Sequence, residues 1–311
     1  MELLKQLYRI YSPSGRERAM RKFLKGYMRR IPGVEVKEDR MGNLYATKGV
    51  SETFPCIVAH MDQVDERHSR DFKVVETEDF LFAYSPKSGR QENLGADDKN
   101  GIWVCLKCLE KYPVLKVAFF VEEEAGCVGS GEAWMDFFRD CRFVVEVDRR
   151  GKEDLITCIG WTGLCSREFL EATEYGKFGY QETDGLMTDI LALKENGLSV
   201  SCINLSSGYY EPHTHQEYTV KEDLLNCLRF TGHIIESCIE VYPHEPEGME
   251  SGWIHDEEYE CALDEVFYIL DMDDTLSVDD LVYMYEFHFP HLRRDDFERM
   301  YINYHRLRAS D

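Results

Sequence analysis

Two histidines and a set of carboxylates stand at the ends of short apolar runs. His60-Met61-Asp62 closes the run Pro55 to Ala59, Glu122-Glu123-Glu124 closes Val114 to Val121, and Asp148 follows Phe143 to Val147. His213 follows Val200 to Leu205 after a Gly-Tyr-Tyr loop, and Gly95-Ala96-Asp97-Asp98-Lys99-Asn100-Gly101 leads into a helical pattern. Nearly continuous apolar runs of this length suit strands covered on both faces. In open α/β sheets ligands bind beyond the carboxyl ends of such strands. One rim would therefore carry two histidines and several carboxylates. Carboxylates held within a few ångström of one another take up protons or bind cations, and mixed histidine and carboxylate ligands suit zinc or a neighbouring divalent ion. Taken singly, each signal is ordinary: a surface His-x-Asp, a solvated triple Glu, an Asp-Asp helix start. Their joint occurrence at successive strand ends carries the expectation of a metal site.

The elements that must position these residues follow from periodicity. Met20, Phe23, Leu24 and Tyr27 recur at helical spacing after Ser14-Gly15; GVEVKED and NLYATKG read as an edge pair joined by Met41-Gly42-Asn43. Ile102, Trp103, Leu106 and Leu109 mark one helical face, and Leu186, Ile190 and Leu193 another. Leu224, Leu225, Leu228, Ile235 and Ile239 are expected on a long closing helix. Helical patterns alternating with apolar runs predict an α/β fold, a three-layer helix/sheet/helix sandwich with a mostly parallel central sheet, over residues 1–242. Residues 243–311 form an acidic extension. They carry 19 Asp/Glu against 5 Arg and no Lys, with helical patterns at Tyr259, Leu263, Val266, Phe267 and Leu270, after Ser277, and over DDFERMYINYHRLR. The aromatic content of this tail implies that it packs on its own core, a second subunit or the site mouth. Its DMDDTLSVDDLV segment lacks the central glycine and final glutamate of an EF-hand loop.

The ordered motifs AHMD, LGADDKNG, VEEEAGCVGS, EVDRRG and EPHTHQEY resemble the co-catalytic zinc exopeptidases (clan MH), a superfamily that includes bacterial leucyl aminopeptidases, peptidase T and glutamate carboxypeptidase-like enzymes. The resemblance covers residues 1–242. It implies that His60 and Asp148 bind one metal, Glu124 and His213 the other, and that Asp97 bridges them. It implies that Asp62 orients the His60 imidazole and that Glu123 is the general base. The cofactors implied are two divalent ions, zinc first, with cobalt(II) or manganese(II) as alternatives. A register one residue earlier would make Glu122 the base and Glu123 the ligand; Ala125-Gly126 favour Glu123 and Glu124. His215 competes with His213, which the preceding proline and the following Glu-Tyr favour. Tyr209 or Tyr210 is a candidate donor to the oxyanion, with aromatic packing as the alternative. Thr188-Asp189 resembles a family pair near the pocket, with substrate amine, ligand neighbour or helix cap as its readings. Arg149-Arg150 are candidates for a substrate carboxylate, a solvated pair being the alternative.

Only 37 positions separate His60 from Asp97 and 65 separate Asp148 from His213. Against the resemblance, these spacings leave no room for the lid or dimerisation domains that family members insert there. The function implied is a metallopeptidase, an aminopeptidase acting on short peptides. A carboxypeptidase, dipeptidase or N-acyl amino acid deacylase is the alternative, and a non-catalytic binding homologue a third reading. The expected partners are a peptide or N-acyl amino acid substrate, with a homo-oligomer left open.

Composition sets the outer bounds. With 59 acidic against 36 basic residues and a net charge of −23, the chain lacks the basic face that nucleic acid requires. No apolar run reaches the roughly 20 residues of a membrane span. MELLKQLYRI does not read as a secretory leader, and the 11 cysteines are scattered rather than framed as a disulfide scaffold, so a cytoplasmic location is expected. Cys105 and Cys108 form a lone CxxC, read as core packing because no second pair completes a zinc ribbon.

Overall fold

A computed structural model describes residues 1–64, 68–160, 162–245, 259, 262–263, 265–270, 276–285, 288–289 and 292–308. The chain divides into two compact units, Met1–Pro246 and Glu247–Asp311. In the first, helices α1 (Glu2–Tyr8) and α2 (Arg18–Met28) precede the strands β1 (Val34–Glu38), β2 (Leu44–Lys48) and β3 (Phe54–His60). Three short strands follow, β4 (Lys73–Glu76), β5 (Phe80–Ser85) and β6 (Arg90–Glu92), then α3 (Ala96–Lys111) and β7 (Leu115–Phe120). The middle of the chain forms α4 (Val128–Gly131), β8 (Cys141–Arg149), β9 (Asp154–Ile159), β10 (Thr162–Gly163), α5 (Arg167–Thr173), β11 (Gln181–Gly185) and α6 (Asp189–Glu195). It closes with β12 (Cys202–Ser206), β13 (Tyr209–Tyr210), β14 (Tyr218–Val220) and α7 (Lys221–Ser237).

The main sheet runs β1-β2-β7-β3-β8-β12-β9-β10, with β11 on β9. Its four central strands β7, β3, β8 and β12 are parallel neighbours. These are the four apolar runs of the sequence. All seven residues of β3 and all six of β7 are buried, as a doubly covered sheet requires. Side-chain alternation sends Ile57 and Ala59 into one apolar layer, with residues of α1, α2, α3 and α7. Cys56 and Val58 enter the opposite layer, with Ile190 and Leu193 of α6. The result is an α/β sandwich of three layers. Cys105 and Cys108 are free thiols buried in the first layer. Gly101 lets α3 lie close on β8: a β-carbon there would run into the Asp98 carboxylate and the Val147 carbonyl.

Two expectations are corrected. Leu186 does not share a helical face with Ile190 and Leu193: α6 begins at Asp189, and Leu186 is 77% exposed in the turn before it. Ile239 lies beyond α7, whose last residue is Ser237, and is 63% exposed. In both cases the apolar periodicity continued past the residue where the backbone leaves the helix.

A second, five-stranded sheet, β13-β14-β5-β4 with β6 on β5, was not foreseen; its strands are short and mixed in polarity. After α7 the chain returns to the main sheet, where Tyr242 N–H donates to the Arg142 carbonyl at 3.0 Å and His244 N–H to the Ser199 carbonyl at 2.9 Å. The buried Lys194 ammonium fastens this segment by donating to the Val200 and His244 carbonyls, each at 2.7 Å.

The second unit has its own apolar cluster, with Val266, Leu270, Leu281, Phe297 and Met300 buried and Tyr259, Leu263 and Phe267 packed against it. Helix Val278–Tyr285 starts at a reciprocal cap: Ser277 Oγ accepts Asp280 N–H at 3.2 Å, and Asp280 Oδ2 accepts Ser277 N–H at 2.8 Å. Helix Arg294–Arg308 follows. Residues 271–275 of the DMDDTLSVDDLV segment lie outside the described residues. No described helix is long and apolar enough to cross a membrane.

Candidate active site

The parallel strand ends converge. His60 is the last residue of β3, and the chain leaving β7 carries Glu123 and Glu124 past it. Asp148 lies near the end of β8, and the segment after β13 brings in His213. Asp97 arrives from the opposite direction at the entry to α3, where Asp97 and Asp98 are joined by a cis peptide bond and depart from helical angles.

His60 Nε2 lies 3.1 Å from Asp97 Oδ1, 3.6 Å from Asp148 Oδ1 and 4.0 Å from Glu123 Oε2. His213 Nε2 lies 3.0 Å from Glu124 Oε2 and 3.3 Å from Asp97 Oδ2. Asp97 thus addresses both histidines, one with each oxygen. Glu122 joins none of these contacts, and His215 is exposed. His213 holds a left-handed backbone, φ +61°, a conformation costing a non-glycine residue about 1 kcal/mol. Such outliers collect at functional sites.

Around this set lies a supporting shell. Asp62, fully buried, accepts the backbone N–H groups of Glu123 at 3.0 Å and Glu124 at 3.1 Å and the Ser14 hydroxyl at 2.7 Å. Its Oδ1 is 3.3 Å from His60 Nδ1, at an angle that leaves Nδ1 without a good hydrogen bond. Asp98 faces the same centre but is occupied by backbone: Oδ1 accepts Gly101 N–H at 2.9 Å and Oδ2 accepts His60 N–H at 3.3 Å. Buried Glu217 accepts the N–H groups of Gly95 and of Asp97, the latter at 3.1 Å. Gly95 sits at φ +64° to present its donor. Tyr209 hydroxyl donates to Asp148 Oδ1 at 3.2 Å, whereas Tyr210 turns away to Asp223. Thr188 does not cap α6; its hydroxyl donates to Glu146 at 2.7 Å. Asp189 is fully buried, beside the Ser130 hydroxyl, which donates to the Cys127 carbonyl at 3.1 Å. Arg149 pairs with Asp154 at 2.9 Å.

Burial and neighbouring charges shift the central groups. Burial alone would lower the His60 pKa, but the Asp148, Asp62 and Asp97 carboxylates outweigh it and hold it well above its ordinary value. His213 is raised to about 11 by its bonds to Asp97 and Glu124. Burial pushes Glu123 well up, opposed by His60 and reinforced by Asp189, Asp97 and Glu124. Burial and the Asp97 charge likewise drive Asp148 upward.

The donor set fits divalent metal. Ligand atoms of His60, Asp97 and Glu124, and those of His60, Asp98 and Asp148, lie within 4.8 Å of one another. Glu124 Oε1 is buried without a partner, and histidine with carboxylate is a set that zinc accepts. Asp98 supports His60 through its backbone N–H and also stands among the candidate ligands with His60 and Asp148. Asp98, Glu217 and Ser14 had no site role from the sequence, although Asp98 and Glu217 lie within the quoted motifs; they support the site through the His60 and Asp97 backbone amides and the Asp62 carboxylate.

No protein-family model and no curated protein matches the sequence. Solved structures do match the fold. A tripeptidase from Staphylococcus aureus aligns with TM-score 0.61 at 15% identity over 76% of this chain and 97% of its own. Aminopeptidase PepT from Bacillus cereus aligns with TM-score 0.58 at 15% identity over 77% and 98%. An aminopeptidase from the archaeon Desulfurococcus kamchatkensis gives 0.58 at 18% identity over 80% and 98%. The chain therefore has the α/β fold found in these peptidases.

Proposed function

We propose that this chain is a dinuclear metal-dependent exopeptidase, an aminopeptidase that removes N-terminal residues from short peptides. The observation carrying this reading is the meeting of His60, Glu123, Glu124 and Asp148, from the carboxyl ends of adjacent parallel strands, with Asp97 from the entry to α3 and His213 from the segment after β13, in a fold shared with aminopeptidases. His60 and Asp148 would hold one ion, Glu124 and His213 the second, with Asp97 between them. The ions, zinc in the first instance, would acidify an attacking water and polarise the scissile carbonyl.

The remaining work belongs to the protein. Glu123, 4.0 Å from His60 Nε2 and bound to neither histidine, takes the proton of the attacking water and delivers it to the leaving amine. Asp62 fixes the Glu123 and Glu124 backbone and flanks the His60 ring. Tyr209 holds Asp148 rather than reaching for the substrate oxygen. The surplus of carboxylates favours a substrate end that is a free amine.

The deciding experiment is a panel of aminoacyl-anilides and N-acyl amino acids assayed with and without chelator. Chelator-sensitive cleavage of the anilides is the expected result. Cleavage of N-acyl amino acids alone would transfer the assignment to a deacylase, and no metal-dependent hydrolysis of either would remove the enzyme reading.

A further inference from the structure

The turn after β7 carries a cysteine where the backbone suits glycine. Cys127 holds a left-handed conformation, φ +55°, at the N-cap of α4. Glycine enters that region freely, whereas a β-carbon there crowds the following carbonyl oxygen. A side chain retained against such strain points to a contact that glycine could not make.

That contact is with the base. Cys127 Sγ lies 3.6 Å from Glu123 Oε1, within reach of a thiol hydrogen bond. The turn delivers the sulfur there: the Glu123 carbonyl accepts the N–H groups of Gly126 and Cys127, both at 2.8 Å, and the Glu122 carbonyl accepts Val128 N–H at 3.1 Å. The chain thus folds back on Glu123. Cys127 is only 4% exposed. Burial, reinforced by the Asp189, Glu123 and Glu146 charges, pushes its thiol pKa up, so the sulfur keeps the proton it donates.

Glu123 is then held at three points. Asp62 accepts its backbone N–H at 3.0 Å, the turn amides donate to its carbonyl, and the thiol donates to Oε1. Among the described residues, no other hydrogen bond reaches the Glu123 carboxylate. Its second oxygen, Oε2, is the one turned to the metal residues, 4.0 Å from His60 Nε2. The two oxygens therefore have different neighbours, a thiol on one side and a histidine on the other.

We propose that Cys127 is a positioning residue for the base: its S–H donates to Glu123 Oε1 and directs Oε2 at the attacking water, so that the proton is taken on Oε2. This rests on the reading of Glu123 as the base, and the test separates the two.

Cys127→Gly is the informative variant, because the backbone accepts glycine. In the zinc-loaded full chain it should keep the parent's zinc content and unfold close to the parent's temperature. Its kcat for a leucyl anilide should nevertheless fall about 10-fold, the effect of a misdirected base, with KM within about 2-fold of the parent's. Cys127→Ala should lose as much, and Cys127→Ser, which keeps a donor, should recover part of the loss. A second readout needs no turnover: the S–H stretching band in the infrared that disappears in Cys127→Gly should move to higher frequency in Glu123→Ala, which removes the acceptor. Parent kcat in Cys127→Gly, a loss matched by lost zinc, no recovery with serine, or an unshifted band overturns the proposal and leaves the peptidase reading standing. A parent protein that cleaves no peptide or anilide overturns both, whatever the band shows.

Discussion

The Asp62 carboxylate accepts the backbone N–H of Glu123 at 3.0 Å while its Oδ1 stands 3.3 Å from His60 Nδ1. One buried side chain thereby sets the end of β3 relative to the loop after β7. Asp62→Ala should lower zinc affinity by about 10- to 100-fold, read by competition against a chromophoric chelator. Asp62→Asn should fall between the variant and the parent, because it keeps an acceptor for one amide. Unchanged affinity in Asp62→Ala would show that the two strand ends are held by other means.

Asp189 offers a pH test on the metal-free protein. Burial raises its pKa from 3.8 to about 7, so between about pH 4 and pH 7 the folded chain keeps a proton that the unfolded chain releases. Stability then falls as pH rises through that window. Glu217, raised by burial to about 7, acts in the same sense; His68, lowered by burial to about 3, acts against it. Asp189→Asn removes one contribution. It should stabilise the metal-free protein at pH 8 by roughly 2–4 kcal/mol and leave it nearly unchanged at pH 4. Denaturant titration at both pH values measures this; an equal effect at both would rule out a buried proton on Asp189.

Glu217 holds Gly95 and Asp97 by their backbone N–H groups across 120 residues of sequence. Hydrogen bonds to a charged group contribute about 1.5–3 kcal/mol each. At pH 8, where its carboxyl is ionised, Glu217→Ala should therefore destabilise the protein by about 3 kcal/mol and weaken zinc binding through Asp97. A loss below about 1 kcal/mol in urea unfolding, with normal affinity, would contradict that role.

Tyr209→Phe deletes only the hydroxyl that donates to Asp148. A cost of about 1 kcal/mol and a zinc affinity lowered severalfold are expected, both from calorimetric titration and thermal unfolding. A Tyr209→Phe protein that binds zinc normally but loses turnover would return Tyr209 to the oxyanion role considered from the sequence.

The parallel strands were legible because burial on both faces writes itself as an unbroken apolar run, as in Phe54–His60 and Leu115–Phe120. The residues at their ends were legible because strand ends in such sheets meet at one rim. Helix ends were less so: Leu186 and Ile239 fit the helical period yet lie outside the helices, since periodicity carries no information about where backbone hydrogen bonding stops. The second sheet escaped notice because strands such as Arg90–Glu92 and Tyr209–Tyr210 are too short for a period to show. Glu217 and Ser14 were invisible as site supports because their partners are distant in sequence.

Metal stoichiometry tests the central claim most directly. Protein stripped with chelator, reloaded with zinc and desalted should carry two equivalents per chain by elemental analysis, and Glu123→Gln should retain both while losing peptide hydrolysis. Asp97→Ala, which removes the carboxylate facing both histidines, should reduce the content well below two. Substoichiometric zinc in the parent protein, or full hydrolytic activity in Glu123→Gln, would contradict the account.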